Sequence, residues 1–236
     1  SVSQEPQITS LCADNNNSVN LTLPDGYLNY EWTMSVNGGT EYRNGRSINV
    51  TNPGAYSGKV KDANGNTLRS QMMVISTAIK PNKPTIREIG SQQACADSSF
   101  TFSINEGNER YNWYKQGSNN ALATTNSLTV REGGNYFVRS ENVFGCLSDN
   151  SDVSSLIYRP QVPTPVIAKI GPFTAEATIN QTGLSEKYDW KRDQELLVSS
   201  TTNTIRTIET GLYASRANVT YILGSNLLTC YSPYSN

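Results

Sequence analysis

The chain has 236 residues, with 19 basic and 20 acidic side chains for a net charge of -1, no histidine and four cysteines. This near-neutral balance, with no Lys/Arg stripe to neutralise phosphates or anionic lipid, argues against nucleic acid as a partner. The missing histidine removes the usual general base, the Ser-His-Asp arrangement and most transition-metal sites, and no apolar run reaches the length of a membrane span.

The first residues, "SVSQEPQITS", lack the charged and apolar regions of a signal peptide, so the chain reads as a mature protein or an excised fragment. β-Branched residues, Tyr, Ser, Asn and Gly are abundant, and no apolar stripe of helical period survives for three turns, which predicts an all-β class. In chain order, "EPQI" at 5–8 opens a segment that carries Cys12, Tyr30-Glu31-Trp32, an Asn37-Gly38 turn, the alternating Ile48-Asn49-Val50 and Gly54-Ala55-Tyr56. It closes with "KDANGNT" at 61–67, whose Asn64-Gly65 is a strong hairpin signal.

The pattern then repeats. "KPTI" at 83–86 is followed by Cys95, Tyr111-Asn112-Trp113, Leu128-Thr129-Val130, Gly134-Asn135-Tyr136 and Cys146. "TPVI" at 164–167 is followed by Tyr188-Asp189-Trp190, Ile205-Arg206-Thr207, Gly211-Leu212-Tyr213 and Cys230. The tryptophans stand 81 and 77 residues apart, and each precedes its Gly-x-Tyr tyrosine by 24, 23 and 23 residues. A fixed period of short alternating strands predicts three copies of one sandwich, at 1–80, 81–160 and 161–236, joined by the stiff, extended linkers "IKPNKP" and "RPQVPTP".

The segment "YNWYKQG... NSLTVREGGNYFVRSENVFGC" resembles strands C, E, F and G of an immunoglobulin-like domain. With its order of Cys, Tyr-x-Trp, Gly-x-Tyr and Gly-Cys, the chain is similar to the tandem Ig-like repeats of secreted and cell-surface proteins of Bacteroidetes. The resemblance covers all three units, best in the second and least in the third. It implies an elongated array of β-sandwiches and a non-enzymatic role in adhesion, as a stalk or in display, outside the cell. It also implies that Trp32, Trp113 and Trp190, with Tyr56, Tyr136 and Tyr213, are core residues, because a strand of period two buries one face. Phe102 and Val138 stand about where antibody-type domains place their intersheet cysteines, so apolar packing replaces that bond.

In such a sandwich Cys12 and Cys95 precede strand B, while Cys146 and Cys230 lie near the start of strand G. A bond within unit two, Cys95 to Cys146, would span the length of the domain, so the expectation is bridges between neighbours, Cys12 with Cys146 and Cys95 with Cys230. The intradomain pair with two free thiols stays open, since connectivity is not readable from sequence. Asn66 stands where unit one would have its Gly-Cys cysteine, and the Ala175-Glu176 region where unit three would have its first.

Other sites are sparser. Asp62, Asn64 and Asn66 loosely resemble a calcium loop, but the distal Glu is missing and a plain hairpin is the stronger reading. Glu31, Asp189 and Glu141 are expected on outward strand faces as solvated charge, and no cofactor is implied. Asn16, Asn20, Asn49, Asn180 and Asn218 open Asn-x-Ser/Thr triplets, expected of a chain this rich in those residues. Tyr42, Tyr114 and Tyr221 lie outside the Gly-x-Tyr motif and are candidate recognition residues for a protein or glycan. The functional expectation is a surface spacer or adhesion rod, with a carbohydrate-binding module as the alternative.

Overall fold

The computed structural model describes residues 9–13, 17–105, 107, 110–181, 183 and 185–235. "EPQI" and Asn16 lie outside the described residues. The strands form three successive two-sheet sandwiches.

Unit one contains β1 (Ser10–Cys12), β2 (Val19–Thr22), β3 (Asn29–Val36), β4 (Gly39–Asn44), β5 (Ser47–Val50), β6 (Gly54–Lys61), β7 (Thr67–Arg69) and β8 (Met73–Ala78). Its larger sheet runs β1-β8-β6-β3-β4 with β7 on β6, and faces the pair β2-β5. Unit two contains β9 (Gly90–Cys95), β10 (Phe100–Ser103), β11 (Arg110–Lys115), β12 (Ser127–Val130), β13 (Gly134–Glu141) and β14 (Ser154–Arg159), with sheet β11-β13-β14-β9 over β10-β12. Unit three contains β15 (Val166–Gly171), β16 (Thr174–Thr178), β17 (Ser185–Arg192), β18 (Glu195–Ser200), β19 (Thr204–Arg206), β20 (Tyr213–Leu223) and β21 (Asn226–Tyr231), with β18-β17-β20-β21 over β15-β16-β19.

The Tyr-x-Trp strands are β3, β11 and β17. Their alternation turns each tryptophan inward, and Trp32, Trp113 and Trp190 are fully buried in three separate cores. Trp32 Nε1 donates to the Gly45 carbonyl at 3.1 Å and Trp113 Nε1 to the Thr125 carbonyl at 2.8 Å. Trp190 Nε1 has no hydrogen-bond partner among the described residues. Opposite Trp32, Gly58 leaves room for Leu23, whose Cδ2 would lie 2.3 Å from an added Cβ.

Gly-x-Tyr is a tyrosine corner in all three units. Tyr56, Tyr136 and Tyr213 donate their hydroxyls to the carbonyls of Asn52, Glu132 and Glu209 at 2.6, 2.8 and 3.0 Å, pinning the chain where it enters strands β6, β13 and β20. Tyr56 and Tyr136 are core residues, whereas Tyr213 is only half-buried. In units one and two the first residues of β6 and β13 also pair with β8 and β14, which in turn pair in parallel with β1 and β9. Among the described residues 211–213 have no such third strand, and β15 pairs antiparallel with β16 instead.

Two residues after each corner tyrosine, a serine hydroxyl accepts the strand's N–H. Ser70 serves Gly58 at 2.7 Å, Ser151 serves Val138 at 3.0 Å and Ser235 serves Ser215 at 2.9 Å. Units two and three repeat this with Ser148 and Ser232, which accept from Ser140 and Ala217. These hydroxyls satisfy N–H groups where the edge chain departs from regular pairing.

Candidate functional site: the stapled joints and the outer sheet faces

Both disulfides lie between units. Cys12 bonds Cys146 with Cα atoms 5.3 Å apart, and Cys95 bonds Cys230 at 5.6 Å; no described cysteine is free. Cys12 and Cys95 end β1 and β9. Cys146 sits in the turn after β13, while Cys230 lies near the end of β21, not at the start of a strand, because the β20-β21 hairpin is longer than its counterparts. The Ala175-Glu176 region is not a pre-strand position either: it is paired on both sides within β16.

At the first joint, Cys12, Ala78 and Cys146 form a small buried cluster with Phe144 against it. The linker is bound along unit two: Asn142 Nδ2 donates to the Ile79 carbonyl at 3.0 Å and Ser140 Oγ to the Asn82 carbonyl at 2.8 Å. Lys80 and Lys83 pair with Asp149 and Asp152, each at 2.6 Å. The Asp149 carboxyl is held below its usual range, first by the hydrogen bond from Lys80 and then by the Lys80 charge.

The turn that carries Cys146 is built by Asn142, whose Oδ1 accepts the N–H groups of Phe144 and Cys146, both at 3.0 Å. Unit one has the same turn. Asp62 Oδ1 accepts from Asn64 N at 2.9 Å and Asn66 N at 2.8 Å, Oδ2 accepts from Asn66 Nδ2, and Asn66 occupies the place of Cys146. The Asp62 carboxyl is lowered chiefly by the side-chain bond from Asn66. The loosely calcium-like Asp62, Asn64 and Asn66 thus form an Asx turn in which the carboxylate already accepts the turn's own donors. Among the described residues no group of three or more His, Cys, Asp or Glu is placed to hold a metal.

At the second joint the β20-β21 hairpin reaches back to β9 and β14. Gln93 Nε2 donates to the Asn226 carbonyl at 3.2 Å, and Arg159 donates to Gln93 Oε1 at 3.0 and 2.9 Å and to the Ile222 carbonyl at 3.3 Å. The Arg159 guanidinium also lies 4.8 Å from the centre of the Tyr221 ring. Val162, from the linker, is buried in the core of unit three.

The three candidate recognition tyrosines do not converge. Tyr42 is 67% exposed on β4. Tyr114 is half-buried and stacked on Phe137, ring centres 5.2 Å apart. Tyr221 is only 8% exposed, under Arg159 and hydrogen-bonded by Gln181, so it is a packing residue of the joint and unavailable to a ligand.

Asp189 corrects the expectation of solvated outward charge. It is 5% exposed and receives Ser199, Arg216 Nε at 2.8 Å and Asn218 Nδ2 at 3.0 Å. Burial pushes its carboxyl up, but these hydrogen bonds and the Arg216 charge outweigh that and leave it lowered. Arg216 is in turn covered by Tyr231 and Tyr234, at 4.6 and 5.1 Å from the ring centres. Glu141 likewise accepts from the buried Asn112 at 2.8 Å, and Glu31 pairs with Lys59 at 2.5 Å. No described helix is long and apolar enough to cross a membrane.

Sequence reasoning missed Arg159, Gln93, Asn142 and the serine hydroxyls. Cys-x-Ser-x-x-Ser, at 146–151 and again at 230–235, was the available signal for the serines. Arg159 and Gln93 had none, because they meet each other across two strands far apart in sequence and their other partners, Ile222, Tyr221 and Asn226, come from another unit.

Residues 81–160 match the family described as Ig-like domain, CHU_C associated. The middle unit is similar to that family along its whole length. With its neighbours it makes an all-β tandem array of Ig-like sandwiches. Among solved structures, the fibronectin(III)-like modules of Clostridium thermocellum CbhA align at TM-score 0.45 and 9% identity, covering 68% of this chain and 95% of that one. Drosophila OTK extracellular domains 3-5 align at TM-score 0.28 and 14% identity over 98% and 95% of the two chains. Chicken CNTN1 FN1-FN3 domains align at 0.31 and 12%, over 100% and 95%. No curated protein matches the sequence.

Proposed function

We propose that the chain is a non-enzymatic extracellular spacer in which units 1–80, 81–160 and 161–236 are locked end to end to hold an adhesive or displayed part away from a surface. The observation that carries this reading is the placement of both disulfides between units and none within one. Each sandwich already has its own apolar core, so the bonds contribute to the angle between units more than to any one fold. Tandem domains otherwise move relative to one another by default. Disulfides also suit the oxidising environment outside the cell.

Small-angle scattering of the oxidised and reduced chain tests it. The oxidised chain is expected to fit one arrangement of units, and the reduced chain a broad set at unchanged circular dichroism. An equally narrow distribution after reduction would overturn the reading.

A second reading, a carbohydrate-binding module, is favoured by the exposed Tyr42 ring on a polar sheet face of unit one. An array of neutral and acidic glycans tests it, and silence across the array removes it while leaving the spacer untouched.

A further inference from the structure

The outer faces of the larger sheets are equivalent surfaces with different covers. In unit two this face carries Tyr114 stacked on Phe137, and in unit three Tyr231 and Tyr234 lie over Arg216. In unit one, among the described residues, no aromatic pair closes it. Alternation along β3, β4, β6 and β7 puts Glu31, Tyr42, Asn44, Lys59, Lys61 and Arg69 outward. The register sets them side by side: Glu31 lies between Asn44 and Lys59, and Lys59 is opposite Arg69. The face holds a cleft of about 550 Å³, lined by Asn29, Glu31, Asn44, Lys59 and Lys61 among others; Tyr42 and Arg69 stand on the same face outside that lining, Tyr42 one outward position along β4 from Asn44 and Arg69 opposite Lys59.

Charge selects the occupant. Three cations, Lys59, Lys61 and Arg69, share the face with one carboxylate, Glu31, which is already paired with Lys59. Asp62 lies beyond Lys61, but its carboxylate accepts the donors of its own turn. Lys61 and Arg69 have no carboxylate partner among the described residues, so the face has uncompensated positive charge beside an exposed ring and two amides. A flat ring suits the apolar face of a pyranose, amides suit its hydroxyls, and the spare cations suit a carboxylate on the sugar.

We propose that this face binds a carboxylated saccharide, a chain of uronic acid residues, with Tyr42 stacked on one sugar ring and Lys61 and Arg69 on the carboxylates. The proposal rests on the carbohydrate-binding reading and narrows it to one sugar class.

Titration of the full oxidised chain with oligogalacturonate, with neutral malto-oligosaccharide and with polyglutamate as probes tests it. Binding is expected for oligogalacturonate alone, weakening as salt rises. Tyr42→Ala is expected to weaken it about three- to tenfold, the scale of one lost ring contact. Lys61→Ala with Arg69→Ala should weaken it further and flatten the salt dependence. All of these side chains are exposed, so an unchanged melting temperature controls for folding. Binding to the neutral sugar alone would overturn the proposal while leaving the carbohydrate reading standing, and silence with both sugars would overturn both. Equal binding of polyglutamate, or full binding by Tyr42→Ala, would also overturn it, since charge alone would then suffice.

Discussion

The joint between units one and two and the joint between units two and three share a covalent plan and differ in what surrounds it. At the first, the linker does the work: the carbonyls of Ile79 and Asn82 are hydrogen-bonded by Asn142 and Ser140, and Lys80 and Lys83 pair with exposed carboxylates. At the second, the contacts come from strand residues: a long hairpin of unit three meets Gln93 and Arg159 of unit two, and the linker sends Val162 into the core. A bond from a linker backbone fixes where the chain runs. A guanidinium held by an amide, a carbonyl and a ring fixes how one unit faces the next. The second joint should therefore keep more of its geometry when its disulfide is cut.

Cutting the bonds one at a time is the strongest way to break that comparison. Cys12→Ser with Cys146→Ser, and separately Cys95→Ser with Cys230→Ser, each remove a constraint of about 2–4 kcal/mol. Distances measured by spin labels across each joint should broaden widely at the first and modestly at the second. Equal broadening would mean that Arg159 and its partners add nothing to orientation. Next in size, Arg159→Ala removes the ring contact with Tyr221, the bond to Ile222 and the hold on Gln93, for about 1–2 kcal/mol. Hydrogen exchange at 222–226 should rise with the disulfide intact, while the first joint is unaffected.

These contrasts mark what the sequence could carry. The three sandwiches were legible because each Trp and each Gly-x-Tyr tyrosine answers to its own strand: one side inward, and a hydroxyl reaching four residues back. Tyr213 shows where that logic thins. Its corner bond forms, but its burial depends on a third strand that 211–213 lack here. Tyr221 and Asp189 were misread for a related reason. Alternation tells which face of a strand a side chain takes, not whether another unit or a tyrosine pair then covers it. Tyr42 was legible as exposed; that Lys59, Lys61 and Arg69 share its sheet face needed the register of β6 and β7.

The turn shared by units one and two sharpens the comparison at smaller scale. Asn142→Ala removes two bonds inside the turn and the one to Ile79, at about 1–2 kcal/mol, and should loosen the linker with Cys12–Cys146 still formed. Asp62→Ala removes the equivalent bonds in a turn that takes part in neither of the two joints, and should leave both joints unchanged by spin-label distances. A change at either joint would show that the turn is coupled through the body of unit one.

The weakest handle is pH. The Asp149 carboxyl is lowered in the folded chain, so the contribution of its pair with Lys80 is complete above the ordinary carboxylate value near 3.9 and is lost as pH falls through the folded value. Because the carboxylate is exposed, screening leaves little of this as stability. The expected result is a change in the side-chain chemical shift of Asp149 in acid with no resolvable change in melting temperature between Asp149→Asn and the parent chain at neutral pH. No acidic group among the contacts described at the second joint titrates in the same way, since Arg159 is held there by an amide, a carbonyl and a ring. Acid should therefore loosen the first joint before the second, and the reverse order in spin-label distances would place the pH-sensitive contact elsewhere.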